Sequence, residues 1–231
     1  MWVGAESQLY GIGLDTTRRT DMGAIEGVRG HRVQHPTRWI CREVVKDFAE
    51  SFWACENLYI SICLSAEDVL NPKFSDFINQ LISKYKVSAS CIAFELKFSA
   101  SLAAGRSSLA VKLKHLRAQG YLIVLHNFAP SDCSVSALES LPVDVIKIDK
   151  AMMVAMNCHQ VAPSLPLLLK RARMLDIDVV FTDVRTDMQA KRIRDSGGTT
   201  AQGQLYSKAL GAHDFTRAYF TRPHPCRLNV I

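Results

Sequence analysis

A closed (β/α) barrel is the fold class this chain predicts, and three observations predict it. From about residue 57 onward, short apolar runs alternate with amphipathic stretches. Strands joined by helices pair in parallel, because a parallel pair needs a crossover connection. The number of such units suits a closed ring, for which roughly 250 residues is usual, and the chain has 231. Several of the apolar runs also end in polar residues, where barrels of this kind carry their reactive groups. A doubly wound open sheet is the alternative.

The elements follow in order. MWVGAESQLYGIGL, residues 1–14, reads as a strand, and the glycine-rich polar stretch 15–35 as a long loop. LYISICL (58–64) is a short apolar, β-branched strand. NPKFSDFINQLISKY (71–85) carries Phe74, Phe77, Ile78, Leu81 and Ile82 at helical spacing, with Pro72 suited to a first turn. CIAFELKF (91–98) is a strand, and SLAVKLKHLRAQG (108–120) a helix that Gly120 stops. YLIVLH (121–126) and VDVIKID (143–149) are strands. SLPLLLKRARMLDI (164–177) is a helix, DVVFTD (178–183) a strand, and DMQAKRIRDSG (187–197) a helix ended by Gly197. TTAQGQL (199–205) is a last strand and AHDFTRAYF (212–220) a closing helix.

Composition is that of a globular protein, 48% hydrophobic and 22% charged. No apolar run approaches the roughly 18–20 residues of a spanning helix, so no membrane partner is expected. The N-terminus lacks a signal-peptide pattern, so a cytoplasmic location is expected. The seven cysteines include no C-x-x-C pair and are expected to be reduced. The formal charge of +6 concentrates in Lys170, Arg171 and Arg173 and in Lys191, Arg192 and Arg194. These read as solvated helix faces. No nucleic-acid motif accompanies them, and nucleic acid is not expected as a partner.

The strand ends form the candidate site: Glu6, Cys63, Glu95, His126 with Asn127, Lys147 with Asp149, Thr182 with Asp183, and Gln202.

The stretch LRAQGYLIVLHNFAPSDCSVSALESLPVDVIKIDK (116–150) strongly resembles the central signature of EAL-type cyclic-di-GMP phosphodiesterases. That signature reads L-R-x-x-G, a hydrophobic strand, D-D-F-G-T-G-Y-S, then L-P-V-D-x-I-K-I-D. Further pieces follow in family order. VGAESQLYG resembles V-G-A-E-A-L-L-R-W, ISICLS resembles V-N-L-S, and FELKFS resembles L-E-I-T-E-S. VVFTDVRT resembles V-V-A-E-G-V-E-T, and AQGQLYSKAL resembles x-Q-G-Y-L-x-S-K-P-L. The resemblance covers about residues 3–215 of a single domain, with 216–231 as an irregular C-terminal extension. It implies a modified TIM-like barrel with one antiparallel strand. The chain starts inside the family's N-terminal strand pair, so an edge strand is expected to be missing, and such an edge could pair a second copy.

The resemblance also implies roles. EAL enzymes hydrolyse cyclic-di-GMP with two magnesium or manganese ions, and hard cations want oxygen ligands. The family's first metal-binding Glu matches Glu6, and that of the third strand matches Glu95. The family's Lys matches Lys147 and its Gln matches Gln202. Cys63 stands at the Asn ligand, His126 and Asn127 at the paired metal aspartates, and Thr182 at the Glu proposed as base. Phe98 and Arg185 replace supporting glutamates, Tyr10 the phosphate-contacting Arg, and Ala209 the Pro of S-K-P-L. Two divalent ions would meet about +4 of charge with about −2 of carboxylate and a lysine beside them, at a cost of several kcal/mol. The metal centre is therefore expected to be lost, with no cofactor. A relic ion pair of Glu95 with Lys147, a zinc site of Cys63, Glu95 and His126, and a Cys63–His126 thiol nucleophile are alternatives.

The expected function is a catalytically inactive EAL-like regulator of motility, adhesion or biofilm, acting through another protein. A metal-independent cyclic-di-GMP receptor, with Glu6, Glu95, Asn127, Lys147 and Gln202 as ligand contacts, is the first alternative. A residual phosphodiesterase is the second.

Overall fold

The computed structural model describes residues 36–52, 58–98, 108–128, 138–139, 142–148, 164–207, 210, 214–215 and 217, with the backbone of 2–4 and 10–13. Eight strands close a barrel in chain order: β1 (Trp2–Gly4), β2 (Tyr10–Gly13), β3 (Leu58–Cys63), β4 (Ile92–Lys97), β5 (Leu122–His126), β6 (Val145–Ile148), β7 (Asp178–Phe181) and β8 (Thr200–Gln202). Strands β2 to β8 are parallel, and β1 lies antiparallel between β2 and β8.

This arrangement decides for the barrel over the open sheet. It also corrects the reading of the N-terminus. The stretch 1–14 contains two strands paired antiparallel, not one. The edge expected from a missing strand is filled, because β1 bonds on both sides.

Six α-helices are defined among the described residues, besides a 3₁₀ turn at Ala89–Cys91: α1 (Pro36–Ser51), α2 (Ala66–Leu70), α3 (Phe74–Tyr85), α4 (Ser108–Ala118), α5 (Ser164–Met174) and α6 (Asp187–Asp195). The sequence reading did not assign α1. Its signal is Cys41, Val44, Val45, Phe48 and Phe52, all buried and on one helical face. Helix α3 starts at Phe74, so Pro72 lies in the preceding turn. Gly120 (φ 95°) and Gly197 (φ 85°) stop α4 and α6 in the left-handed region, as read. Most of the expected closing helix lies outside the described residues. Phe215 is buried and packs edge-on against Phe52, with ring centroids 5.6 Å apart. No helix among the described residues is long and apolar enough to cross a membrane.

The pleat sorts side chains into two apolar regions. Outward residues such as Ile62, Phe94, Leu125, Ile146 and Phe181 pack beneath the helices. Inward residues Tyr59, Ala93, Val124, Val145 and Val180 form a separate cluster that fills the lumen. Because side chains alternate with period two, the next lumen residues are Ser61, Glu95, His126, Lys147 and Thr182. The lumen thus changes from apolar to polar one step toward the C-terminal ends of the strands.

At the opposite end, the floor, Asp144 ties four elements together. Its carboxylate accepts from Arg117 Nε of α4 and from the Ile123 amide of β5, both at 2.8 Å. Its own backbone bonds Ile123 and Asp178. The L-R and V-D letters of the family signature are therefore one structural contact.

Candidate functional site at the barrel mouth

The polar lumen layer is built around Glu95. Its Oε2 accepts from Ser61 Oγ on the neighbouring strand at 3.0 Å, and Lys147 Nζ donates to the same oxygen. Glu95 is 8% exposed, Lys147 5% and Ser61 1%. A lone charge at that depth costs several kcal/mol, so each ion requires the other. Burial, followed by the charges of Asp178, Glu95 and Asp144, pushes the Tyr59 phenol far above its usual range.

The remaining candidates surround this pair without joining it. Cys63 stands beside Glu95 in the register and is half-buried. His126 is opposite Lys97 at the end of β5, also half-buried. Asn127 leaves β5 at a φ of 56° and is exposed, so it does not share the lumen with His126. A short amide side chain tolerates that conformation better than most residues do. Thr182 donates through Oγ1 to the Ile148 carbonyl at 3.1 Å, a contact that tethers β7 to β6. Asp183, at a φ of 60°, accepts from Arg185 Nε at 2.8 Å.

Gln202 closes the ring on β8. Its Oε1 is buried and has no hydrogen-bond partner among the described residues. Gly203 follows for a steric reason: a Cβ there would lie 2.0 Å from the Val184 carbonyl oxygen.

Glu6, Asp149, Lys208 and Ala209 lie outside the described residues. The direction of β1 nevertheless differs from expectation. Trp2 is opposite Gln202 and Gly4 opposite Thr200, so β1 runs from mouth to floor. The strand end read as leading to the mouth points the other way.

The described donors do not suit a pair of hard cations. Glu95 is the one carboxylate in the described polar lumen layer, and a lysine already engages it. No three or more His, Cys, Asp and Glu side chains among the described residues could hold a metal ion, so Cys63, Glu95 and His126 do not gather as a zinc site. Ser61 is the participant that sequence reasoning missed. Its signal was parity, since it falls between Tyr59 and Cys63 on the lumen face. The basic side chains Lys170, Arg173, Lys191, Arg192 and Arg194 are exposed, and Lys191 pairs with Asp195 at 2.7 Å.

A parallel barrel with one reversed strand and charged groups at the strand ends is the frame of an EAL domain. The family model for that domain matches residues 33–209, and the chain belongs to the EAL family. It is 30% identical over 181 residues to the probable cyclic di-GMP phosphodiesterase PdeB of Escherichia coli, covering 78% of this chain and 34% of that protein. The chain thus spans about a third of that relative's length. Among solved structures, the EAL enzyme Bd1971 in its cAMP- and cyclic-di-GMP-bound form superposes with a TM-score of 0.75 at 17% identity, over 94% of this chain and 62% of that one. The EAL domain of FimX from Pseudomonas aeruginosa, bound to c-di-GMP, gives 0.67 at 14%, over 90% and 87%. At such identities the structures speak for the fold.

Proposed function

We propose that this chain is a non-catalytic EAL domain that acts in cyclic-di-GMP-linked signalling by binding another protein, in the control of motility, adhesion or biofilm. The observation that carries this reading is that Glu95, engaged by Lys147, is the one carboxylate in the described polar lumen layer. The carboxylate that a catalytic cation would require is neutralised from within the chain. Cys63, His126, Asn127 and Thr182 supply no further anionic oxygen around it. Without a bound metal ion, these residues would leave water unactivated for attack at phosphorus. The exposed helices then offer the functional surface, including the basic residues of α5 and α6.

The test is hydrolysis of cyclic-di-GMP by the purified chain with Mg²⁺ or Mn²⁺. No turnover above background is expected. Metal-dependent turnover that disappears in Glu95→Gln would overturn the reading and restore the enzyme.

One observation favours a second reading, a metal-independent cyclic-di-GMP receptor. The orphaned Gln202 Oε1 is an acceptor awaiting a donor, as guanine or ribose would supply. Relatives of the same fold are described as bound to c-di-GMP. Calorimetry at low salt distinguishes the readings: saturable heat lost in Gln202→Leu supports the receptor, and none at tens of micromolar protein dismisses it.

A further inference from the structure

Helix α5 turns an apolar strip outward. Its residues Leu165, Leu168, Leu169 and Ala172 are buried. Its other side carries Pro166, Leu167, Lys170, Arg173 and Met174, all exposed. Leu167 is 54% exposed and Met174 66%. The two stand seven residues apart, which is two helical turns or about 10 Å along the axis. Lys170 lies between them on the same strip, three residues from one and four from the other. Helix α6, the next helix around the ring, adds the exposed Met188. A solvated helix face is ordinarily polar throughout, and this one is not.

The charge of the strip is one-sided. Helix α5 contains Lys170, Arg171 and Arg173 and no Asp or Glu. Arg171 reaches Glu139 on one flank. Arg173 reaches the turn after α6 on the other, where it donates to the Gly197 carbonyl. A carbonyl does not neutralise a guanidinium. Lys170 is exposed and meets no carboxylate among the described residues. Lys170 and Arg173 thus lack a counter-charge among the described residues, beside two exposed apolar side chains.

Building on the proposed role as a protein-binding domain, we infer that this strip docks an acidic amphipathic helix of a partner protein. Leu167 and Met174 are the anchors, and Lys170 and Arg173 pair with the partner's carboxylates. Helices packed side by side meet through residues at i, i+3 or i+4, and i+7, which is the spacing of the strip. Methionine suits such a contact, because its unbranched chain adapts to the shape it meets. A second copy of this chain does not fit: α5 against α5 would set Lys170 and Arg173 against cations of the same kind. Nucleic acid would meet the cations and leave Leu167 and Met174 without a role.

The test follows fluorescence anisotropy of two labelled, stapled helical peptides titrated with the full chain at low salt. Both carry leucine at i, i+4 and i+7. One is rimmed with glutamate and the other with lysine. Saturable binding of the glutamate peptide is expected, and none of the lysine peptide. Leu167→Ser combined with Met174→Ser is expected to weaken binding about tenfold, through the lost apolar contacts. Lys170→Glu is expected to weaken it several-fold and to flatten its salt dependence. These side chains are exposed, so circular dichroism of the variants should match the wild type. No binding of the glutamate peptide, equal binding of the lysine peptide, or full affinity in either variant overturns the inference. Co-sedimentation with anionic vesicles that is lost in the same variants also overturns it, by assigning the strip to a membrane surface. Failure here without cyclic-di-GMP turnover removes this surface alone, whereas turnover with peptide binding intact removes the non-catalytic reading alone.

Discussion

The Asp144 contact at the floor of the barrel joins a helix to strands, whereas the buried polar groups of the mouth join strands across the lumen. At the floor, Asp144 bonds α4 and β5 through its side chain and β7 through its backbone. At the mouth, Ser61 and Lys147 both donate to Glu95 Oε2. The family letters fall into the same two groups. The floor contact joins Arg117 of L-R-x-x-G to Asp144 of L-P-V-D, and the letters stand unchanged as Leu116, Arg117, Gly120, Leu141, Pro142, Val143 and Asp144. The D-D letters belong to the mouth and read His126 and Asn127 here. A family signature therefore mixes two kinds of information, and only the mouth half speaks about chemistry.

Breaking the mouth should have the larger effect. Lys147→Met leaves Glu95 buried and unpaired, and is expected to cost about 3–5 kcal/mol in urea unfolding. The double variant Glu95→Gln with Lys147→Met should recover most of that loss. If the two substitutions were simply additive, the pair would carry no coupling and the mouth would not be self-neutralised.

The floor comes next. Asp144→Ala is expected to cost about 2–3 kcal/mol, mainly by orphaning the Ile123 amide. Arg117→Ala should cost less, about 1 kcal/mol, because Arg117 is half-exposed and its ion pair is screened.

Asp178 sharpens the comparison through pH. Its folded pKa is raised, so its contribution to stability is present below the unfolded value and is lost as pH rises through the folded one. Relative to Asp178→Asn, the wild type should lose stability between acid and neutral pH, and at pH 7 the variant should be more stable by about 1 kcal/mol or less. A parallel pair of stability curves would show that Asp178 carries no such linkage. Asn127 comes last, with a φ of 56°: Asn127→Gly should cost only a few tenths of a kcal/mol, the smallest effect here, and Asn127→Val about 1 kcal/mol.

Much of this was legible in sequence because it is local. The period-two strands, the glycine stops at Gly120 and Gly197 and the order of elements all follow from neighbouring residues. Helix α1 was equally legible in its buried stripe and was passed over beside the glycine-rich stretch. The pairing of Glu95 with Lys147 could be anticipated, since a charge within an apolar strand needs a partner. Ser61 and the Arg117–Asp144 contact depend on which strands become neighbours, which no local pattern specifies. The direction of β1 is set by closure against β8, a contact across nearly the whole chain. A cavity at the floor had no sequence signal at all, since its lining comes from α5, the starts of β7 and β8, and the turn after α6.

The central claim is that the mouth, where Lys147 engages Glu95 and His126 and Asn127 stand at the family's aspartate positions, does not hold a pair of divalent cations. Counting bound Mn²⁺ by electron paramagnetic resonance, on the full chain with cyclic-di-GMP present, addresses it most directly. Well under one tightly bound ion per chain is expected. Two ions per chain, both lost in Glu95→Gln, would contradict it.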